Sequence, residues 1–252
     1  MTLFDELRRV VETGARAVVL TVVAGEPLGA KLLVREDGTT AGDGPAELAE
    51  LAPAALRRGR SHEIALEDRR VLADVYGPPT RLLVYGAVDT ADALCAAAKL
   101  LGWHTIVADA RSSFATRERM PHADELLVTW PEETLEHVRP DLGTAVVLLT
   151  HDDKFDLPMI KGTLETEAFY IGLLGSRRNQ ERRRELLLAD GVSEAELDRI
   201  SGPCGLDIGA DSPTETALSI LAEILAQRAG RSGGALRRSK HRIHAEPVPD
   251  KK

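Results

Sequence analysis

The chain has 252 residues and a net charge of −8, with 43% hydrophobic, 29% charged and only 4% aromatic residues. This composition fits a globular chain with an aliphatic core and excludes a wholly disordered one. Residues 1–230 hold 25 basic against 38 acidic groups, so the body lacks the basic face that nucleic acid requires, and no run approaches the roughly 18 apolar residues that span a bilayer.

The start, Met1-Thr2-Leu3-Phe4-Asp5-Glu6, has no basic stretch followed by an apolar run, so no secretory leader is expected. Leu3, Leu7, Val10 and Val11 predict a helix over Met1–Thr13. Ala17–Val23 and Lys31–Arg35 read as strands, and Asp37-Gly38 as a hairpin turn. Pro45–Arg58 reads as one helix, and Glu63–Leu66 and Arg70–Tyr76 as further strands. Gly77-Pro78-Pro79 then punctuates the chain, so residues 1–77 are expected to form a small α+β domain.

From residue 80 to 229 the pattern alternates. Strands are predicted at Arg81–Tyr85, His104–Ala108, Glu125–Thr129, Thr144–Thr150, Ala168–Ile171 and Leu206–Ile208. Helices are predicted at Thr90–Leu101, Glu132–Val138, Lys154–Thr166, Arg177–Ala189 and Thr214–Gln227. Such alternation implies an α/β, Rossmann-like, doubly wound parallel sheet. Ser212-Pro213-Thr214-Glu215 opens the last helix with a capping Ser, a Pro and a Glu at the favoured positions. Residues 230–252 are basic and nearly free of apolar groups, and are expected to be a disordered tail.

Four strand ends offer chemistry. Gly86-Ala87-Val88-Asp89-Thr90-Ala91 matches the first and third positions of a dinucleotide turn, but Val88 stands where a glycine would let backbone approach pyrophosphate. Asp89 adds negative charge at the helix start, so the turn is expected to bind pyrophosphate poorly, and the favoured reading is a plain turn with Asp89 as the helix cap. Asp109 stands at the spacing of a ribose-binding acid, with Arg111 placed for a phosphate; the alternative is a local ion pair. His151 and Asp152 follow the most apolar strand, where they can bind polar edges or act on protons, or where Asp152 or Asp153 caps the next helix. No second His lies at ligand spacing, so no metal site is expected.

The run Gly172-Leu173-Leu174-Gly175-Ser176-Arg177-Arg178 is more specific. Cations in the first helical turn oppose the helix dipole, so an anion bound by Gly175, Ser176 and Arg177 explains them better than helix stability does. The competing reading is a solvated basic helix, since Arg182, Arg183 and Arg184 follow. In Gly202-Pro203-Cys204-Gly205-Leu206-Asp207-Ile208-Gly209, Asp207 is either a buried, satisfied carboxylate or a ligand contact. Cys204 and Cys95 read as small core residues. Two cysteines are too few for a disulfide framework or an all-cysteine zinc site, and the expected compartment is a reducing cytoplasm.

Taken in order, five motifs resemble the C-terminal domain of the XdhC/CoxI family, from about Arg81 to Ala229. They are Leu100 to Trp103, Asp109-Ala110-Arg111 with Phe114-Ala115, Leu149-Thr150-His151-Asp152, Tyr170 to Arg178, and Gly205-Leu206-Asp207-Ile208-Gly209-Ala210 followed by Pro213 and Glu215. The resemblance implies an accessory protein of xanthine dehydrogenase-type molybdenum hydroxylases. Such a protein binds molybdenum cofactor (molybdopterin or its dinucleotide form), protects it during sulfuration and hands it to the apoenzyme, with no catalytic residue of its own. It also implies a Rossmann-like domain behind a smaller N-terminal one, a homodimer, and a cysteine desulfurase as a further partner. The implied cofactor contacts are Gly86, Ala87, Asp109, Arg111, His151, Asp152, Gly172, Gly175, Ser176, Arg177, Asp207 and Gly209. The family's first turn usually reads Gly-Ala-Gly-His, where this chain has Gly86-Ala87-Val88-Asp89. Its N-terminal cysteine motifs have no counterpart here, because no cysteine precedes Cys95. A nicotinamide-dependent oxidoreductase using NAD(P), suggested by fold alone, and a diverged interaction protein without a ligand are the alternatives.

Overall fold

A computed structural model of the chain describes residues 2–240, which divide into two compact units, one of residues 2–78 with 234–240 and one of Pro79–Gly233. In the first unit, helix α1 (Leu3–Thr13) is followed by strands β1 (Ala17–Ala24), β2 (Lys31–Arg35) and β3 (Thr40–Gly42). A 3-10 segment (Ala46–Leu51), helix α2 (Ala52–Arg58) and strands β4 (His62–Ala65) and β5 (Arg70–Tyr76) complete it. The strands form an antiparallel sheet in the order β3-β2-β1-β5-β4. Thr2 and Asp5 cap α1 reciprocally, and Asp37-Gly38 turns β2 back onto β3. The single helix expected over Pro45–Arg58 is two elements, a 3-10 segment and an α-helix, and Pro53 stands in the first turn of the second, where its missing N–H costs nothing.

The second unit carries strands β6 (Arg81–Tyr85), β7 (His104–Ala108), β8 (Glu125–Leu127), β9 (Thr144–Leu148), β10 (Tyr170–Leu173) and β11 (Ile200–Ser201). Its helices are α3 (Asp89–Lys99), α4 (Pro131–Val138), α5 (Asp153–Leu164), α6 (Arg177–Ala189), α7 (Glu194–Leu197) and α8 (Pro213–Arg228). All strands run parallel in the order β11-β10-β9-β6-β7-β8. This is the doubly wound, Rossmann-like order, with its reversal between β6 and β9.

The strands are apolar on both faces because both faces are covered. Leu82, Val84, Val107 and Val147 pack with α3 and α8 on one side. Leu83, Tyr85, Val146 and Leu148 pack with Phe155 and Met159 of α5 and Leu187 of α6 on the other. Alanines 91, 97 and 98 of α3 let α8 come close, and Ile220 and Ile224 fill the seam.

Two expectations fail here. Leu206–Ile208 is not a strand: Asp207 and Ile208 are exposed in an irregular loop, and the sheet ends instead with the two-residue β11. Arg183 is not on a solvated basic face but is buried, for reasons given below. Of the expected tail, 232–240 are exposed and include a 3-10 turn at Leu236–Arg238, and 241–252 lie outside the described residues.

Candidate functional site

The carboxyl ends of β6, β9 and β10 set out the site. At the sheet's reversal point β6 runs into Gly86, whose φ of +113° suits glycine alone. A Cβ there would lie 3.0 Å from Cγ2 of Thr150 and 3.1 Å from the backbone of Leu149, so glycine lets the ends of β6 and β9 meet. The amides of this turn all bond within the protein. Gly86 donates to the Ala108 carbonyl (2.8 Å), Ala87 to the Asp109 carboxylate (2.9 Å) and Val88 to the Gly86 carbonyl (3.0 Å). Val88, not Asp89, occupies the cap position of α3, and exposed Asp89 faces Arg119 at 3.4 Å.

Asp109, at the end of β7, is fully buried. Its carboxylate accepts the Ala87 amide, the Arg111 amide (2.9 Å) and a two-pronged guanidinium contact from Arg111 at 2.9 and 2.7 Å. Burial alone would raise this carboxyl, but the bonds from the Arg111 side chain and from the two amides hold it below its ordinary 3.8. The half-buried Arg111 also stacks on the Phe114 ring at 3.9 Å. Asp109 therefore ties the first turn to the segment after β7, with every hydrogen bond made inside the protein.

After β9, Thr150 begins the next turn and the exposed Asp152 caps α5 by accepting the Lys154 amide at 3.2 Å. His151 is exposed, with no hydrogen bond or ion pair among the described residues. Beneath them lies an ion pair that sequence reasoning missed. Asp156 and Arg183 are 0% and 3% exposed and meet at 2.5 Å. Thr150 donates its hydroxyl to Asp156, and Arg183 donates to the carbonyls of Thr150 (3.1 Å) and Leu174 (2.9 Å). This pair pins the chain after β9 to the chain after β10. The signal available in the sequence was one acid, Asp156, between Phe155 and Leu157-Pro158-Met159-Ile160.

The turn after β10 differs from the first. Gly172, inside β10, leaves room for the Tyr170 ring, which would lie 2.6 Å from a Cβ. Gly175 precedes Ser176, whose hydroxyl caps α6 by accepting the Asn179 amide at 3.3 Å. Arg182 pairs with Asp153, Arg183 with Asp156 and Arg184 with Glu194. Arg177 and Arg178 are exposed in the first turn of α6 and have no acidic partner among the described residues. Three of the five arginines of this helix are thus neutralised inside the protein, and the two that oppose the helix dipole are not.

The loop after β11 is held from α8. Glu223 accepts the Gly205 amide (2.9 Å) and the Tyr170 hydroxyl, and Ser219 donates to the Leu206 carbonyl at 2.6 Å. Asp207 and Gly209 stand exposed on it. Cys95 and Cys204 are buried, which pushes each thiol up to about 12, so neither supplies a thiolate near neutral pH. No group of three or more metal-ligating side chains occurs among the described residues.

Residues 82–224 match the model of the XdhC Rossmann domain. The chain belongs to the XdhC family. Over 151 residues it is 33% identical to a Bacillus subtilis protein named as a probable component of xanthine dehydrogenase, an alignment covering 60% of this chain and 44% of that one. It is 29% identical over 153 residues to the molybdenum cofactor insertion chaperone PaoD of Escherichia coli, covering 61% and 42%. The chain therefore spans less than half the length of these curated relatives. A crystal structure of a xanthine dehydrogenase from Bacillus halodurans superposes with a TM-score of 0.60 and 25% identity, covering 90% of this chain and 67% of that one.

For an XdhC Rossmann domain, the structure separates the residues proposed from sequence into three groups. Gly86, Ala87, Asp109 and Arg111 bond to one another or to neighbouring backbone. Gly172 packs inside the sheet. His151, Asp152, Gly175, Ser176, Arg177, Asp207 and Gly209 remain at least partly open to solvent at the strand ends.

Proposed function

We propose that this protein is an accessory factor that binds molybdenum cofactor and assists its delivery to a xanthine dehydrogenase-type molybdoenzyme. The observation that carries this reading is the XdhC Rossmann domain itself, matched over residues 82–224. A relative aligned over 153 residues of the chain is named as a molybdenum cofactor insertion chaperone. The cofactor is cargo here, a flat pterin with a phosphate or dinucleotide tail.

The residues present fit that cargo at its anionic end. Arg177 and Arg178 and the dipole of α6 offer positive charge with no acidic partner among the described residues, although the Asn179 amide of the same turn is already taken by the Ser176 hydroxyl. The turn at Gly86–Val88 is the weaker seat, because a phosphate there would have to replace three internal hydrogen bonds. Asp109 and Arg111 support this site by fixing the segment after β7, while His151, Asp152 and Asp207 face the pterin's polar edges. Metal ligation from a thiol of this chain has no part in the reading, since both thiols are buried.

The test is expression in a host that makes molybdopterin, followed by denaturation and measurement of released, oxidised pterin by fluorescence. The expected result is pterin near one per chain, and restored activity when the loaded protein is mixed with an apo molybdenum hydroxylase. Absence of pterin from the folded protein would overturn the reading.

A further inference from the structure

We propose that Trp130 is the stacking platform for the flat, nitrogen-bearing ring of the ligand, a pterin or a purine, at the carboxyl edge of the parallel sheet. This rests on the ligand reading above and adds to it a residue that the sequence motifs did not include.

The chain has two Trp, three Tyr and four Phe. Four of these nine lie at or beyond strand ends: Tyr85 ends β6, Phe114 and Trp130 stand in the segments after β7 and β8, and Phe155 is in α5, which follows β9. Trp130 sits 5.3 Å from Phe155, and Phe155 lies 6.3 Å from Tyr85. The Arg111 guanidinium is 3.9 Å over Phe114 and 5.9 Å from Phe155. Tyr85, the Arg111 guanidinium and Trp130 are thus each placed around the Phe155 ring, and of the rings around it Trp130 is the exposed one.

The backbone of Trp130 serves the helix it precedes, but its side chain makes no cap hydrogen bond. It occupies the cap position of α4, where Ser, Thr, Asp or Asn would accept an amide. An indole N–H only donates, so it cannot do so. The helix start is served instead by Glu133, which accepts the Trp130 amide at 3.1 Å, and by Pro131. Half of Trp130 is exposed, as is half of Val128 two residues earlier. A large apolar ring left in water where local structure favours a small polar residue is a departure that function explains.

The platform is also rigid. Tyr85 donates its hydroxyl to the Thr129 carbonyl at 3.2 Å, and Thr134 donates to the Trp130 carbonyl at 2.9 Å. The Thr129 hydroxyl meets that of Thr134 at 2.8 Å. Burial raises the Tyr85 phenol well above its usual value, so it keeps the proton it donates. A stacking residue held this way loses little conformational freedom when a ring docks. Beside Phe155 stand two cations already paired within the protein, Arg111 with Asp109 at 5.9 Å from its ring and Lys154 with Asp152 at 4.6 Å from it.

The two tryptophans make the test direct, because Trp103 is 7% exposed and Trp130 is 50% exposed. The full chain is titrated with pterin-6-carboxylate and, separately, with ADP, following intrinsic fluorescence and heat. We expect at least one probe to quench Trp130, and the two arms to distinguish a pterin from a purine. Trp130→Ala should abolish the quenching and weaken that probe roughly ten- to hundredfold, the range for loss of one aromatic stack. Trp130→Phe should recover most of the affinity, which a folding defect would not allow. Binding of neither probe, equal affinity in Trp130→Ala, or quenching that persists in it would overturn the proposal. So would a fall in the mass of an assembly with binding unchanged, which would assign the surface to a second copy of the chain. If the platform fails while pterin still copurifies, the accessory-factor reading stands; if no pterin copurifies, that reading fails first.

Discussion

The turns after β6 and β10 are built alike and end differently. Each passes from a buried strand through a positive-φ glycine, Gly86 at +113° and Gly175 at +138°, into a helix. At the first turn the amides of Gly86, Ala87 and Val88 already have partners, and an acid, Asp89, opens the helix. At the second, Arg177 and Arg178 open the helix with no acidic partner among the described residues. A glycine turn at a strand end is therefore not by itself an anion site. What makes one is donors and charge that the fold does not use.

The largest effect should come from the support under the second turn. Asp156→Ala leaves Arg183 buried and unpaired and should destabilise the Rossmann unit by about 3–5 kcal/mol. Chemical denaturation measures it, and a loss under about 1 kcal/mol would show that the pair is not the anchor. Next is Gly86→Ala, which puts a Cβ 3.0 Å from the Thr150 side chain at a φ that suits only glycine. It should cost about 1–3 kcal/mol, whereas the same change at Gly209, which has open space around it, should be milder.

The contrast between the turns predicts how ligand affinity responds. Arg177→Ala removes a charge-assisted contact worth about 1.5–3 kcal/mol, so affinity for a phosphate-bearing ligand should fall roughly ten- to hundredfold. Its melting temperature should scarcely move, because the side chain is exposed and makes no ion pair among the described residues. Acid titration sharpens the role of Asp109. Its folded carboxyl titrates below the unfolded value of 3.8, so its stabilising contribution is complete above that value and is lost as pH falls through the lower folded one. Asp109→Asn should flatten that part of the stability profile; an unchanged acid limb would remove Asp109 as the tie between the first turn and β7. The smallest effect belongs to Val88→Gly with Asp89→His. Removing the acid's repulsion should improve phosphate binding only a few-fold, because the turn's amides remain engaged.

The alternating unit was legible because its strands are short, mostly apolar runs and its last helix announces itself. Ser212, Pro213 and Glu215 form the reciprocal cap that their order suggests, with Ser212 accepting the Glu215 amide at 3.2 Å. The far edge of the sheet was not legible. Ile200-Ser201 is too short to carry a period, while Leu206-Asp207-Ile208 alternates like a strand but lies in a loop held by Ser219 and Glu223. Ser193 and Glu196 do carry a capping signal for α7, but only one turn follows it. The strand ends were legible as places and not as states. Sequence put Asp109 beside Arg111 and Arg177 beside Arg178, and only the fold shows that the first pair closes on itself. Arg183 was hidden among charged neighbours because its partner, Asp156, lies 27 residues away.

Native mass spectrometry of the chain made in a molybdopterin-competent host, wild type beside the Arg177→Ala, Arg178→Ala double variant, tests the central claim most directly. The account predicts a molybdopterin-mass ligand on the wild type and its loss from a variant that melts at the same temperature. A wild type without ligand, or a variant that keeps it, would contradict the account.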